Sequence, residues 1–329
     1  MATFTSKTQL REAIEDYFNG LNNSDISNWN TSQITDMSEL FEYIKQKTIE
    51  PITLNWDTSN VTDMNHMFYA CEQDFILNFD TGNVTNMEGM FEEAFSFNQP
   101  LNFNTSSVTN MQSMFHDAHY FNQTLNFNTS NVTNMSCMFN MATNFNQPLN
   151  FNTSNVTDMR FMFGHTKQFN QPLNFNTKNV TNMSLMFCDA TSFNQPLHFD
   201  TINVTDMSGM FCRATSFNHP LHFNTINVTC MSEMFSIASS FNQPLYFNTI
   251  NVTDMSLMFY KAVNYNQPIY FKLNNDIYIY DIFKNSPMAG QESKYVLEPS
   301  NYYKLILFTL LNKINETLPY LCDEFDEFY

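Results

Sequence analysis

The chain has 329 residues, 43% of them hydrophobic and 35 of them phenylalanine, enough for a large core in two ordinary domains or one elongated one. Its 32 Asp plus Glu against 14 Lys plus Arg leave a net charge of -18, which repels phosphate backbones and argues against nucleic acid as a partner. No stretch approaches the roughly 18 apolar residues of a membrane span, and six cysteines without a C-x-x-C read as free thiols rather than a disulfide framework.

Residues 1–28 open with MATFTSKTQLREAIEDY, which holds no apolar run of the length a signal peptide needs. They predict an N-terminal helical cap, and a cytoplasmic or virion location is expected. From Trp29 to Tyr270 a repeat takes over. The tetrad Ile/Val-Thr-x-Met starts at Ile34, Val61, Val84, Val108, Val132, Val156, Val180, Val204, Val228 and Val252. The spacing is 24 from Val84 onward, after a 27 and a 23. A strict period of this size predicts a solenoid, in which each unit buries its apolar side only against its neighbours. Ten rungs fill 29–270.

One rung can be folded from its pattern. In PLNFNT, Leu173, Phe175 and Thr177 alternate with Asn174 and Asn176, the period of a strand with one buried face. Val180, Met183, Met186, Phe187 and Ala190 then lie three and four apart, the spacing of a short helix. The Asn before each Val, as at Asn155, Asn179 and Asn203, is replaced by Ser107 in one rung, which suits a helix N-cap. Asp63, Asp158, Asp206 and Asp254, three residues on, suit the positive end of a helix dipole, whereas Cys230 breaks that column. The expected fold is therefore an α/β repeat solenoid, a parallel sheet backed by short helices. Its asparagine columns, stacked about 4.8 Å apart, can pair in ladders between rungs.

Residues 271–329 leave the period and predict a C-terminal cap. DIYIYDIF is a strand candidate, SPMAG a turn, and SNYYKLILFTLLNKINETL a helix capped by Ser300. The tail DEFDEFY is a solubilising end or a motif for a basic partner.

The unit W/F-[ND]-T-x-N-V-T-[ND]-M-x-x-M-F-x-x-A-x-x-F-N-Q resembles the BspA-type leucine-rich repeat, also called DUF285 or the mycoplasma lipoprotein-associated repeat. The lead-in KTQLREAIEDYF resembles the segment that precedes such repeats, while the FNQP element is similar to the FNIP repeats of social amoebae and giant viruses. Most rungs open with Phe where the family has Trp. The resemblance implies a curved, right-handed leucine-rich-repeat solenoid, with the sheet on the concave face and the helices on the convex face. In bacterial and protist relatives it implies surface proteins that bind host or matrix proteins.

Function is sought on the exposed positions. The column Asn102, Asn126, Asn150, Asn174 passes into His198, His222, Tyr246 and Tyr270, and beside it Asp80 and Asn104 lead to Asp200 and Asn248. Both columns are expected on the concave face, where imidazole and phenol groups predict a protein-binding hot spot at His198, Asp200, His222, Tyr246 and Tyr270. His198, Asp200 and His222, with His219, also make a weak candidate metal set, two His and a carboxylate being enough for zinc or iron. His116 and His119 read as exposed helix or loop residues. Cys188 and Cys212 share a column on successive rungs, a separation compatible with a bridge, and are expected to be reduced. The recurring NVT sequons are explained by the capping role and are not expected to carry glycans.

With six glycines, no phosphate loop and no G-x-S-x-G, the chain predicts no enzyme and no cofactor. The expected function is a protein-binding scaffold. It belongs inside a cell or virion, and abundant Asn, Phe, Tyr and Ile suit the AT-rich genome of a giant virus or protist. The alternatives are a surface adhesin and a metal-dependent solenoid enzyme.

Overall fold

The computed structural model of the chain describes residues 2–271 and 277–289. Helix α1, Lys7–Phe18, starts where the Ser6 side chain accepts a hydrogen bond from the Gln9 N–H. It buries Leu10 and Ile14 in the continuous core that runs through the repeats. Its polar face ties it to the first rung, where Arg11 lies 3.5 Å from Glu42 and 4.0 Å from Glu39. Thr3 forms a parallel bridge with Asn30, so the chain joins the ladder before the period begins.

The expected helices are absent from the rungs among the described residues. In their place stand pairs of hydrogen-bonded turns. In the rung of Val180, Met186 N–H donates to Met183 O at 3.3 Å, Cys188 to Leu185 O at 3.0 Å, and Ala190 to Phe187 O at 3.1 Å. The alternate donors point to the next rung. Met183 N–H donates to Asp206 O (3.0 Å), Leu185 to Ser208 O (2.8 Å), Phe187 to Met210 O (2.9 Å) and Asp189 to Cys212 O (2.7 Å). A helix would spend every donor inside the unit, whereas this backbone gives half of them to its neighbour and so satisfies the amides of a stacked array. Each turn pair needs two left-handed residues, here Leu185 at φ 57° and Asp189 at φ 55°. Buried residues three and four apart fit both solutions, which is why the pattern reads as helical.

The capping roles change accordingly. Asn179 Nδ2 donates to Ser154 O of the preceding rung at 2.7 Å, and Ser107 Oγ does the same to Gly82 O at 2.7 Å, so this column stitches rungs together. The acid column accepts from the backbone two residues on, as Asp206 Oδ1 does from Ser208 N–H at 2.8 Å. Its backbone carries the parallel ladder, bridging Asp36, Asp63, Asn86 and onward through Asp206, Cys230 and Asp254 to Tyr278. Cys230 keeps that bridge and sets its Sγ 3.2 Å from Ser232 Oγ, which accounts for its place in the column.

The strand expectation is right in burial and displaced in pairing. Leu173, Phe175 and Thr177 are buried while Asn174 and Asn176 are exposed. Yet among the described residues these segments pair as a sheet at β1, Ile52–Leu54, with β2, Phe75–Leu77, and as a bridge at Leu245 with Ile269. Elsewhere a buried threonine hydroxyl bonds across, as Thr153 Oγ1 to Asn176 O at 2.9 Å. The parallel ladder runs through the x of V-T-x-M, not through L-x-F.

The core is a set of stacked rings. Phe163 is fully buried, with Phe139 and Phe187 at 5.8 and 5.7 Å above and below and Phe169 at 4.3 Å beside it. Met159, Met162 and Phe169 are likewise fully buried and Phe151 is 6% exposed, as expected. The FNQ asparagine forms a second ladder, its Oδ1 accepting from the equivalent N–H of the next rung, as Asn146 does from Asn170 at 3.0 Å. Residues 278–284 continue the turn ladder, with Met255 N–H donating to Tyr278 O and Phe259 to Ile282 O, both at 2.8 Å, so the DIYIYDIF segment, from Ile277 on, forms one more set of turns instead of the expected strand of the cap. The helix expected from Ser300 and the acidic tail lie outside the described residues.

Candidate interaction faces

Two faces present side chains in register. The first is the exposed side of the L-x-F segments, with His198 and Asp200 exposed and His222, Tyr246 and Tyr270 half-buried. The Tyr246 and Tyr270 rings stack at 5.7 Å, and burial, aided by the Tyr270 hydroxyl, raises the Tyr246 phenol above its ordinary value. Asp200 has a local task, since its Oδ1 accepts from Ile202 N–H at 3.2 Å. His219 replaces the glutamine of FNQ and places Nε2 3.1 Å from Asn194 O, the contact Gln171 makes to Asn146 O. Among the described residues no group of three or more His, Cys, Asp and Glu side chains is placed to share an ion, so His198, Asp200 and His222 are not brought together as a metal set.

The second face is the turn ladder. Its left-handed positions carry unlike chemistry from rung to rung. One column reads Glu39, His66, Gly89, Ser113, Cys137, Phe161, Leu185, Gly209, Glu233, Leu257 and Asp281. Its companion reads Tyr43, Ala70, Glu93, Asp117, Met141, His165, Asp189, Arg213, Ile237, Lys261 and Asn285. From the sequence, the scatter of His165, Asp189, Arg213, Ile237 and Lys261 reads as a solvated convex back with no single ligand, and the left-handed column beside it is not distinguished. The available signal was the glycine of NMEGMF and DMSGMF, Gly89 and Gly209, both at positive φ inside what reads as a helix. Neighbouring rungs also pair here. His66 Nε2 meets Glu92 Oε2 at 3.2 Å, a bond that raises the imidazole above its ordinary value, and His165 Nδ1 meets Asp189 Oδ2 at 3.3 Å. His116 and His119 are half-buried members of this face: His116 Nδ1 lies 3.1 Å from Asn140 Nδ2, and the His119 ring stacks on Phe95 at 5.2 Å. His119 Nε2 is 2.9 Å from Asp117 Oδ1, close enough for an ion pair but misaligned for a hydrogen bond. Burial raises the Asp117 carboxyl above its usual range, partly offset by His119 and His116.

The rungs are not equally spaced across the molecule. Equivalent rings step by 5.7 Å at Phe187 and Phe211, beside the turn ladder. They step by 6.0 Å at Phe193 and Phe217, and by 6.5 Å at Phe199 and Phe223 beneath the L-x-F face. Parallel hydrogen bonding holds the ladder itself near 4.8 Å. In a stack that bends, the shorter step lies inside the bend. His198, His222, Tyr246 and Tyr270 stand on the side where the ring step is longer.

A stacked array of near-identical rungs, satisfied by neighbour-to-neighbour bonds, defines a repeat solenoid. The chain belongs to the family described as Mycoplasma protein of unknown function, DUF285, whose model matches residues 8–126, 45–149, 123–198 and 197–295. No curated protein and no solved structure matches it. Among the described residues no helix is long and apolar enough to cross a membrane.

Proposed function

We propose that the protein is a non-enzymatic scaffold that captures a protein partner on the turn-ladder face. One observation carries this reading: an invariant hydrogen-bonded frame presents side chains of different chemistry at the same two positions of every rung, from Glu39 and Tyr43 to Glu233 and Ile237. The stacked core columns stay Phe and Met, while much of the variation falls on exposed turn-ladder positions such as Glu39, Met141, Arg213 and Lys261. The shorter step along this side supports a concave surface, which suits a protein ligand better than a small molecule. A second reading keeps the wider face, with His198, Asp200, His222, Tyr246 and Tyr270 as the hot spot. The half-buried, stacked tyrosine pair favours it, since aromatic groups make large contact areas at little entropic cost.

Affinity capture from the native host, identified by crosslinking to the bait, tests both. The double variant Arg213→Glu, Lys261→Glu should lose the partner, and His222→Asn, Tyr246→Asn should keep it. The reverse outcome moves the site to the wider face. Retention by both variants would defeat the scaffold reading at these faces. Localisation of the native protein separates a partner inside the cell or virion from host or matrix proteins bound by a surface adhesin.

A further inference from the structure

Cys188 and Cys212 occupy one column on adjacent rungs, are 7% and 6% exposed, and are both free thiols. Their register is fixed on both sides, by Phe187 N–H to Met210 O at 2.9 Å and by Asp189 N–H to Cys212 O at 2.7 Å. The neighbouring Phe187 and Phe211 rings step by 5.7 Å from one rung to the next. A cysteine pair displaced by such a step falls within the roughly 4.4–6.8 Å Cα separation that disulfides span, and a tilt of the two side chains towards each other closes the remaining gap. The remaining described cysteines, Cys71, Cys137 and Cys230, stand in other columns.

We propose that Cys188 and Cys212 are an oxidation site, a pair that a hydroperoxide converts to a disulfide joining two successive rungs. The reaction balances within the pair and the oxidant. The Cys212 thiolate attacks one peroxide oxygen, the O–O bond breaks, and an alcohol (water, from hydrogen peroxide) leaves. The resulting sulfenic acid is attacked by the Cys188 sulfur. The S–S bond forms, the S–O bond breaks, and water departs with the last proton. Two electrons pass from the two sulfurs to the peroxide. The interaction between the two thiols raises Cys188 and lowers Cys212 from the ordinary thiol value, which favours Cys212 as the attacking thiolate.

The closed loop is short, so the effect falls on local opening of these rungs. Cross-linking should raise the melting temperature by about 5 °C or more. The test uses the full chain and hydrogen peroxide at low molar excess. Trypsin cuts after Lys178 and Arg213, so both thiols fall in one peptide. That peptide should lose two hydrogen masses and resist alkylation until dithiothreitol restores it, and the melting temperature should rise and fall with it. Cys188→Ser and Cys212→Ser should each abolish the mass loss and the thermal shift while melting near the reduced wild type. Should either variant fail to fold, the wild-type peptide alone decides. Two alkylatable thiols after peroxide treatment, or a thermal shift that survives in a folded single variant, would overturn the assignment.

Discussion

Removing the Phe163 ring tests whether the stacked spine holds the molecule together. Phe163 is fully buried and touches Phe139, Phe169 and Phe187, with Phe175 at 6.4 Å. Transfer of the lost side chain accounts for about 1.5–3 kcal/mol. A cavity between hydrogen-bonded rungs cannot collapse, because the ladder holds both neighbours at their spacing, so Phe163→Ala should cost about 3–5 kcal/mol. The assay is urea unfolding by circular dichroism, with the midpoint and the slope fitted separately. Phe163 sits mid-array, so the slope should fall as well, the two halves of a nearest-neighbour stack losing their coupling. The same change at Phe283, near the end of the described ladder, should cost less and leave the slope alone. A cost at Phe163 under about 1 kcal/mol would show that the ring stack contributes little, whatever its geometry.

Two further outcomes separate competing accounts of single residues. Asn179→Asp should cost about 1 kcal/mol or more in thermal unfolding, since the carboxylate cannot donate to Ser154 O and faces a carbonyl instead. A helix cap would accept Asp without loss, so a neutral result would restore the capping role. Stability should fall as pH rises from about 6 to 8, because the folded His66 value lies above 6.5: its contribution is fully present below that pH and is lost as pH passes the folded value. Asp117, also raised, acts in the same direction at lower pH. His66→Gln should flatten the wild-type slope by less than about 1 kcal/mol, and unchanged slopes in unfolding midpoints would remove the Glu92 pair from the account.

Periodicity made the core legible. Val180, Met183, Met186, Phe187, Phe175 and Thr177 are buried as the sequence predicts, and the asparagine columns do bond between rungs. The local backbone was not legible, because apolar spacing reports which side chains face inward and says nothing of where amide donors point. Helix and turn pair bury the same Met183, Met186 and Phe187. They differ at Leu185, a residue type that rarely adopts positive φ and so hides it, and at Asp189, a type that adopts it more readily. The strand was misplaced for a related reason: Leu173 and Phe175 alternate in burial, but the continuous parallel ladder runs through Asn182 and its equivalents, and the L-x-F segments pair, among the described residues, at β1 with β2 and at Leu245 with Ile269.

The neighbour-only bonding has a consequence for how such a chain changes length. Asn146 serves Asn170 as Asn170 serves Asn194, and nothing in either contact records its position along the stack. Excision or duplication of any 24-residue unit rejoins partners of the same kind at the same distances. Unequal recombination between near-identical copies such as FNQPLNFNTSNVTDM and FNQPLNFNTKNVTNM therefore yields a foldable product in one step. The molecule has a gauge and a pitch but no internal ruler, so the reach of its surface can be altered by the gene without redesigning the protein.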